Sequence, residues 1–233
     1  MEAIVLAGGL GTRLRGVVDD VPKPMAPVCG RPFLELVLDQ LVAAGFDTAI
    51  VATGYRHETI RSHFGEAYRG LALRYSVEPE ALGTGGAIRL AGAHTRTRDV
   101  FILNGDTYLE LDFRAMLAEH VTADAQLTIA ICRTPDVARY GALELRGSVV
   151  TAFLEKGRSG PGWINGGTYL LGRELYARFP LDKAFSFEQG FLAPNVSDIR
   201  PLGFRATGLF IDIGLPEDYA RAQQLFAKRG AQG

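Results

Sequence analysis

A chain of 233 residues, 47% of them hydrophobic, can bury a full core as one large α/β domain or two small ones, and this excludes a disordered protein. Its 25 basic and 26 acidic residues leave a net charge of −1, which offers no electrostatic footprint for nucleic acid or an anionic membrane surface. No apolar run approaches the ~18 residues of a membrane span, no signal peptide is visible, and Cys29 and Cys132 lack metal-ligand spacing, so both read as reduced thiols of a cytoplasmic protein.

In chain order, the first predicted strand covers residues 3–7. It runs into a loop, Leu6-Ala7-Gly8-Gly9-Leu10-Gly11-Thr12-Arg13-Leu14, followed by Pro22-Lys23-Pro24. Glycines 8, 9 and 11 let backbone N–H groups approach phosphate oxygens. Arg13 adds a planar fork for phosphate and Lys23 a point charge. The string is neither a Walker loop nor a dinucleotide fingerprint, because its third glycine is missing. A helix opens at Pro32, carries Phe33, Leu36, Val37, Leu41 and Ala44 at helical spacing, and stops at Gly45. A strand is predicted over 48–53, a helix over 56–64 with His57 and His63 on its surface, and a strand over 73–77. A second glycine-rich loop, 78–87, leads into a helix over 84–93. There Gly85 and Gly86 would admit a flat base, and Glu78 could accept guanine N–H groups. The strand over 100–103 ends in Asn104-Gly105-Asp106. Strand–helix alternation of this kind predicts an α/β fold: a mostly parallel, mixed sheet with helices on both faces, a Rossmann-like three-layer sandwich. Ligands in such sheets sit beyond the carboxyl ends of the strands.

Beyond residue 110 the pattern changes. Strands are predicted over 126–133, 140–145, 149–155 and 164–171, with helices returning only near 187–192 and 216–228. No linker separates the halves. One domain is therefore expected, with a nucleotide-binding lobe over about 1–110 and an acceptor-binding lobe over about 111–233.

Asp106, at the end of a buried strand, is a natural hard-cation ligand, and Asp212 stands inside an otherwise apolar strand, where a buried acid is costly unless paired or metal-bound. Both could meet at one Mg²⁺, which takes one or two carboxylates plus phosphate oxygens. Alternatively Asp106 caps the next helix and Asp212 pairs with a buried arginine. Glu155 could accept from sugar hydroxyls and Lys156 could hold a phosphate. Asn165 and Gly166, in Trp163-Ile164-Asn165-Gly166-Gly167, suit hydroxyl recognition, and Tyr140-Gly141 could offer backbone contacts. No Gly-x-Ser-x-Gly and no Cys/His pair supports a covalent nucleophile.

Together these residues resemble the sugar nucleotidyltransferases, the nucleoside-diphosphate-sugar pyrophosphorylases. The carrying motifs are Gly8 to Leu14 with Pro22 to Pro24, Asp106 after the fourth strand, the pair Glu155-Lys156, the late Asp212, and the segments 78–87 and 164–169. One departure is Gly157, where many relatives carry proline. The resemblance implies that GTP binds through Leu6, Ala7, Gly8, Gly9, Gly11, Thr12, Arg13, Lys23, Glu78, Gly83, Thr84 and Gly85. It implies a sugar 1-phosphate, a heptose in the first instance, held by Tyr140, Gly141, Glu155, Lys156, Asn165 and Gly166. Arg13, Lys23 and Asp106 would be catalytic, and Mg²⁺ would sit on Asp106 and Asp212. The products would be a GDP-sugar for bacterial surface polysaccharide and pyrophosphate. Relatives are often dimers or tetramers, so a homo-oligomer is expected. Mannose 1-phosphate, an amino sugar phosphate or UTP remain alternatives, as does a catalytically silent nucleotide-sugar-binding subunit.

Overall fold

The computed structural model describes residues 1–9, 21–180 and 184–230. Gly11, Thr12 and Arg13 lie outside the described residues. The strands are β1 (Glu2–Leu6), β2 (Pro27–Val28), β3 (Arg31–Pro32), β4 (Thr48–Thr53), β5 (Ala67–Tyr68), β6 (Leu71–Val77), β7 (Asp99–Asn104), β8 (Thr107–Leu109), β9 (Leu127–Thr134), β10 (Leu143–Arg146), β11 (Val149–Phe153), β12 (Gly162–Gly172), β13 (Leu202–Ala206) and β14 (Phe210–Asp212). The α-helices are α1 (Phe33–Ala44), α2 (His57–Phe64), α3 (Gly83–Gly92), α4 (Phe113–Thr122), α5 (Ala193–Ile199) and α6 (Pro216–Gly230). A 3₁₀ turn covers Lys23–Met25 and a π-helical segment Phe187–Leu192.

Ten strands form one sheet in the order β10-β11-β13-β9-β12-β7-β1-β4-β6-β5, drawing on both halves of the sequence. β7, β1, β4 and β6 are parallel, and β12 runs antiparallel between β7 and β9. Period-two alternation divides the core between the two faces. Ala3 and Val5 of β1 join Phe33, Val37 and Leu41 of α1 on one face, whereas Ile4 joins Ile88 of α3 and Phe187 on the other. The result is the Rossmann-like three-layer sandwich with a mixed sheet.

α1 shows how locally the sequence dictates this. Phe33, Leu34, Val37, Leu38 and Leu41 recur on one helical face and are fully buried, each worth about 1.5–3 kcal/mol by transfer from water. Gly45 then takes the left-handed conformation at φ 77°, and its N–H bonds the carbonyls of Leu41 and Val42.

Two expectations for the second half need correction. α4 lies where no helix was expected. Asp112 caps it by accepting from Ala115 N at 2.9 Å, but its buried face carries His120, whose Nδ1 lies 2.8 Å from Thr128 Oγ1. A histidine on the inner face breaks the apolar period that a sequence reading needs. Tyr140 and Gly141 are not strand residues either. Both N–H groups turn back onto the Val137 carbonyl, and β10 starts only at Leu143. α5 and β13 were also not anticipated.

Candidate active site

The parallel register sets the site. Leu6 at the end of β1 is level with Ala52 of β4 and Asn104 of β7, so the three following loops open at one edge. They border a cleft of about 660 Å³. Of the residues singled out in the sequence, Leu6, Gly8, Gly9, Lys23, Glu78, Gly83, Thr84 and Asp106 line it. Tyr55 and Asn104 line it too; no single-residue signal marked Tyr55.

Close backbone approach shapes the walls. Gly105 donates its N–H to the Leu6 carbonyl at 2.9 Å, and a Cβ there would fall 2.7 Å from the same oxygen. A Cβ on Gly8 would fall 2.7 Å from Glu78 Oε1. Glu78 is held by the Leu82 N–H, which donates to Oε2 at 3.0 Å. Burial pushes its carboxyl above the ordinary carboxylate range, against that hydrogen bond. Gly83 adopts φ 70°, with the Phe185 carbonyl where a side chain would stand.

Four of the residues singled out in the sequence do not line the cleft. Gly85 does not open onto the cleft: its N–H donates to the Phe185 carbonyl at 2.9 Å, and the Phe185 ring fills the space of a Cβ. The neighbouring Gly86 packs against Leu82. Both glycines serve helix packing and do not admit a base. Ala7 is buried, with its N–H on the Ala52 carbonyl at 2.7 Å. Gly166 is buried beneath Leu109 and Ala130.

At one end of the cleft the two acids meet. β14 pairs antiparallel with β8, which sets Asp212 opposite Thr107, and Ile213 N donates to the Asp106 carbonyl at 3.0 Å. Lys23 Nζ lies 2.5 Å from Asp106 Oδ2 and 3.7 Å from Asp212 Oδ1. The 3₁₀ turn presents this lysine, closed by the Ala26 N–H on the Lys23 carbonyl. Asp212 is thus paired, by lysine and not by arginine, and the helix cap is Asp112 and not Asp106. Burial, and then the Asp106 charge, push the Asp212 carboxyl above its ordinary range against the pull of Lys23. Two hard carboxylates that repel one another and share a single ammonium form a donor set suited to Mg²⁺ completed by phosphate and water oxygens. Among the described residues no group of three or more His, Cys, Asp or Glu could hold a metal ion unaided.

The remaining candidates fall in two groups, neither of which lines the cleft. Gly141, at φ 78°, brings the turn against strand β11: a Cβ there would fall 2.9 Å from the Leu154 carbonyl. Leu154 N donates to the Ala142 carbonyl at 2.8 Å and Gly157 N to the Ala138 carbonyl at 3.0 Å. Tyr140-Gly141 and Glu155-Lys156 are therefore neighbours, and the latter pair is exposed. On β12, Asn165 sits at a register shift relative to β9. Its Nδ2 donates to the Tyr169 hydroxyl at 2.7 Å and to Glu188 Oε1 at 2.9 Å, and its Oδ1 accepts from Gly167 N at 3.0 Å. The buried Tyr169 hydroxyl donates to the same Glu188 oxygen at 2.5 Å. Glu188 was missed, because nothing in the sequence joins it to a residue 23 positions earlier. Asn104 connects the two sides, with its Nδ2 2.8 Å from where a Gly167 Cβ would stand.

Known proteins resemble the chain over nearly its whole length. Residues 2–229 match the family model described as nucleotidyl transferase. The chain is 45% identical to the D-glycero-α-D-manno-heptose 1-phosphate guanylyltransferase of Aneurinibacillus thermoaerophilus, over 96% of this chain and 97% of the relative. It is 38% identical to the protein of the same name from Campylobacter jejuni, over 94% and 97%. The crystal structure of HddC from Yersinia pseudotuberculosis in complex with GMP-PN matches with a TM-score of 0.85 at 38% identity, covering 97% of this chain and 99% of that one.

Proposed function

The chain belongs to the nucleotidyl transferase family, and we propose that it transfers GMP from GTP to D-glycero-α-D-manno-heptose 1-phosphate, giving GDP-heptose and pyrophosphate. The observation that carries the chemistry is the meeting of Lys23, Asp106 and Asp212 at one end of a glycine-walled cleft. The choice of base and sugar rests on the relatives' names and on the HddC complex with GMP-PN.

A sugar 1-phosphate is largely dianionic at neutral pH and needs no base to activate it. One of its oxygens forms a bond to the α-phosphorus of GTP. The bond from that phosphorus to the bridging oxygen of the β-phosphate breaks, and its electron pair leaves with pyrophosphate. Catalysis then reduces to alignment and charge neutralisation. Gly8 and Gly9 bring backbone to the triphosphate, with Lys23 and Arg13 as its cations. Glu78 accepts from the guanine N–H groups with the lone pairs that Leu82 leaves. Lys156 holds the phosphate of the sugar, Glu155 and Asn165 its hydroxyls, and Tyr140-Gly141 closes over it. Mg²⁺ held by Asp106 and Asp212 would supply positive charge to the phosphate oxygens. The first 110 residues act as the nucleotide lobe and the rest as the sugar-phosphate lobe. A cytoplasmic location suits the two free cysteines, one of them, Cys132, with its thiol pushed up to about 12 by burial.

Pyrophosphate release, measured for a panel of nucleoside triphosphates against heptose, mannose and N-acetylglucosamine 1-phosphates, tests this. GTP with the heptose should exceed every other pair by at least about tenfold, or ~1.4 kcal/mol of transition-state binding. A faster reaction with mannose 1-phosphate or UTP would reassign the substrate. Tight nucleotide binding with no release from any sugar phosphate would make the chain a silent binding subunit.

A further inference from the structure

Asp218, in the first turn of α6, is only 6% exposed although it carries a charge. Its partner is Arg139, whose Nη2 donates to Asp218 Oδ2 at 2.6 Å. Arg139 belongs to the turn that presents Tyr140 and Gly141, with both of their N–H groups on the Val137 carbonyl. One residue further on, the Tyr140 ring packs edge-on against Phe210, with centroids 5.4 Å apart. Phe210 opens β14, the strand that ends in Asp212. Two contacts, one ionic and one aromatic, thus tie the turn beside Glu155-Lys156 to the segment that carries Asp212.

We propose that the Arg139–Asp218 pair is a positioning device: it fixes the 137–141 turn relative to Asp212 and so aligns the sugar phosphate with the α-phosphorus. The inference rests on the assignment of Tyr140-Gly141 and Lys156 to the sugar-phosphate side. Asp218 is buried, but Arg139 keeps 44% of its side chain exposed and also faces Glu217 at 4.0 Å, and a solvent-screened pair of this kind adds little to stability. What the contact adds is direction, because the charge-assisted hydrogen bond from Nη2 fixes where the turn stands relative to α6. Alignment is where that matters: a misplacement of about 1 Å can cost on the order of 10²-fold in rate.

The test compares Arg139→Gln, Arg139→Lys, Asp218→Asn and the swap Arg139→Asp with Asp218→Arg. Readouts are kcat, KM for each substrate, Mg·GTP affinity by calorimetry, and thermal unfolding. Arg139→Gln and Asp218→Asn should lower kcat about 10–100-fold and raise the sugar-phosphate KM, leaving Mg·GTP affinity within about twofold. Arg139→Lys should recover part of the loss. Overturning results are unchanged kinetics in both single variants, or parallel losses of GTP affinity and melting temperature, which mark a merely structural contact. Lys156→Ala separates the proposal from its premise. If it raises the sugar-phosphate KM while the Arg139 and Asp218 variants do nothing, the positioning role alone fails. If Lys156→Ala moves only GTP binding, the sugar-side assignment fails first and the proposal falls with it.

Discussion

Gly8, Gly83 and Gly105 shape what we propose as the nucleotide side of the site with backbone alone, whereas Asn165, Tyr169, Glu188, Arg139 and Asp218 shape the proposed sugar side with side chains. On the first side, parallel strands in fixed register deliver three loops to one edge, and there is no room for a Cβ where the loops touch. On the second, a bulged strand and a turn are held by hydrogen bonds and one ion pair between residues far apart in sequence. The contrast teaches where each side can change. The nucleotide side fails by steric clash, so it tolerates little. The proposed sugar side can exchange one hydrogen-bonding group for another without a steric clash.

The acids sit where the two sides join, and the largest effect is expected there. Asp106→Asn and Asp212→Asn should each lower turnover in Mg²⁺ by at least about 10³-fold, ~4 kcal/mol of barrier, with the fold retained. Asp212 also makes a prediction of opposite sign for stability. Its carboxyl is held above the ordinary range, so the folded chain binds that proton more tightly than the unfolded chain does. Its contribution favours folding at low pH and is lost as pH rises through the folded value. Without metal, Asp212→Asn should therefore melt at the same or a higher temperature than the parent near neutral pH, with the advantage shrinking on acidification. A variant that melts lower at neutral pH would mean that Lys23 and the Gly214 N–H more than offset burial and the repulsion from Asp106.

Gly8→Ala probes the steric side and comes next in size. The new methyl would stand 2.7 Å from Glu78 Oε1 and 3.3 Å from Gly54 N. Glu78 has to move, yet Leu82 N–H holds its other oxygen. The GTP KM should rise about 10–100-fold, ~1.4–2.7 kcal/mol, with the sugar-phosphate KM changed far less. Equal rises in both KM values in steady-state kinetics would show that the loop serves both substrates and that the two sides are not separate.

The nucleotide side was also the more legible in sequence, for the same physical reason. Glycine clusters at the ends of apolar runs are local signals, and so are an acid at a strand end, Asp106, and an acid flanked by apolar residues, Asp212. β1, β4 and β7 follow from runs of four to six buried residues. Local signals mislead when the neighbour is distant. Gly85 reads like a base platform, but its missing side chain makes room for Phe185, a hundred positions away. Gly166 reads as suited to hydroxyl recognition, but it lies under Leu109. α4 was hidden because His120, satisfied by Thr128, interrupts its apolar face. Glu188 was invisible because a bulge in β12 and a π-helical segment are both needed to bring it to Asn165.

Glu188 therefore offers the smallest and most discriminating change. Both N–H groups of the Asn165 amide are already committed, to Tyr169 and to Glu188. Asn165 can offer a sugar only its remaining acceptor capacity, and its orientation depends on the carboxylate behind it. Glu188→Gln keeps the shape but removes the charge, and the amide must turn its oxygen toward two donors at once. Replacing a charge-assisted hydrogen bond by a neutral one weakens it by roughly 1 kcal/mol. That predicts a sugar-phosphate KM raised about three- to tenfold, with kcat and the GTP KM unchanged. A rise in the GTP KM of the same size would place Asn165 and its network on the nucleotide side. No change in either KM would mean that Asn165 is held for the sake of the β12 bulge, leaving recognition of the sugar hydroxyls to Glu155.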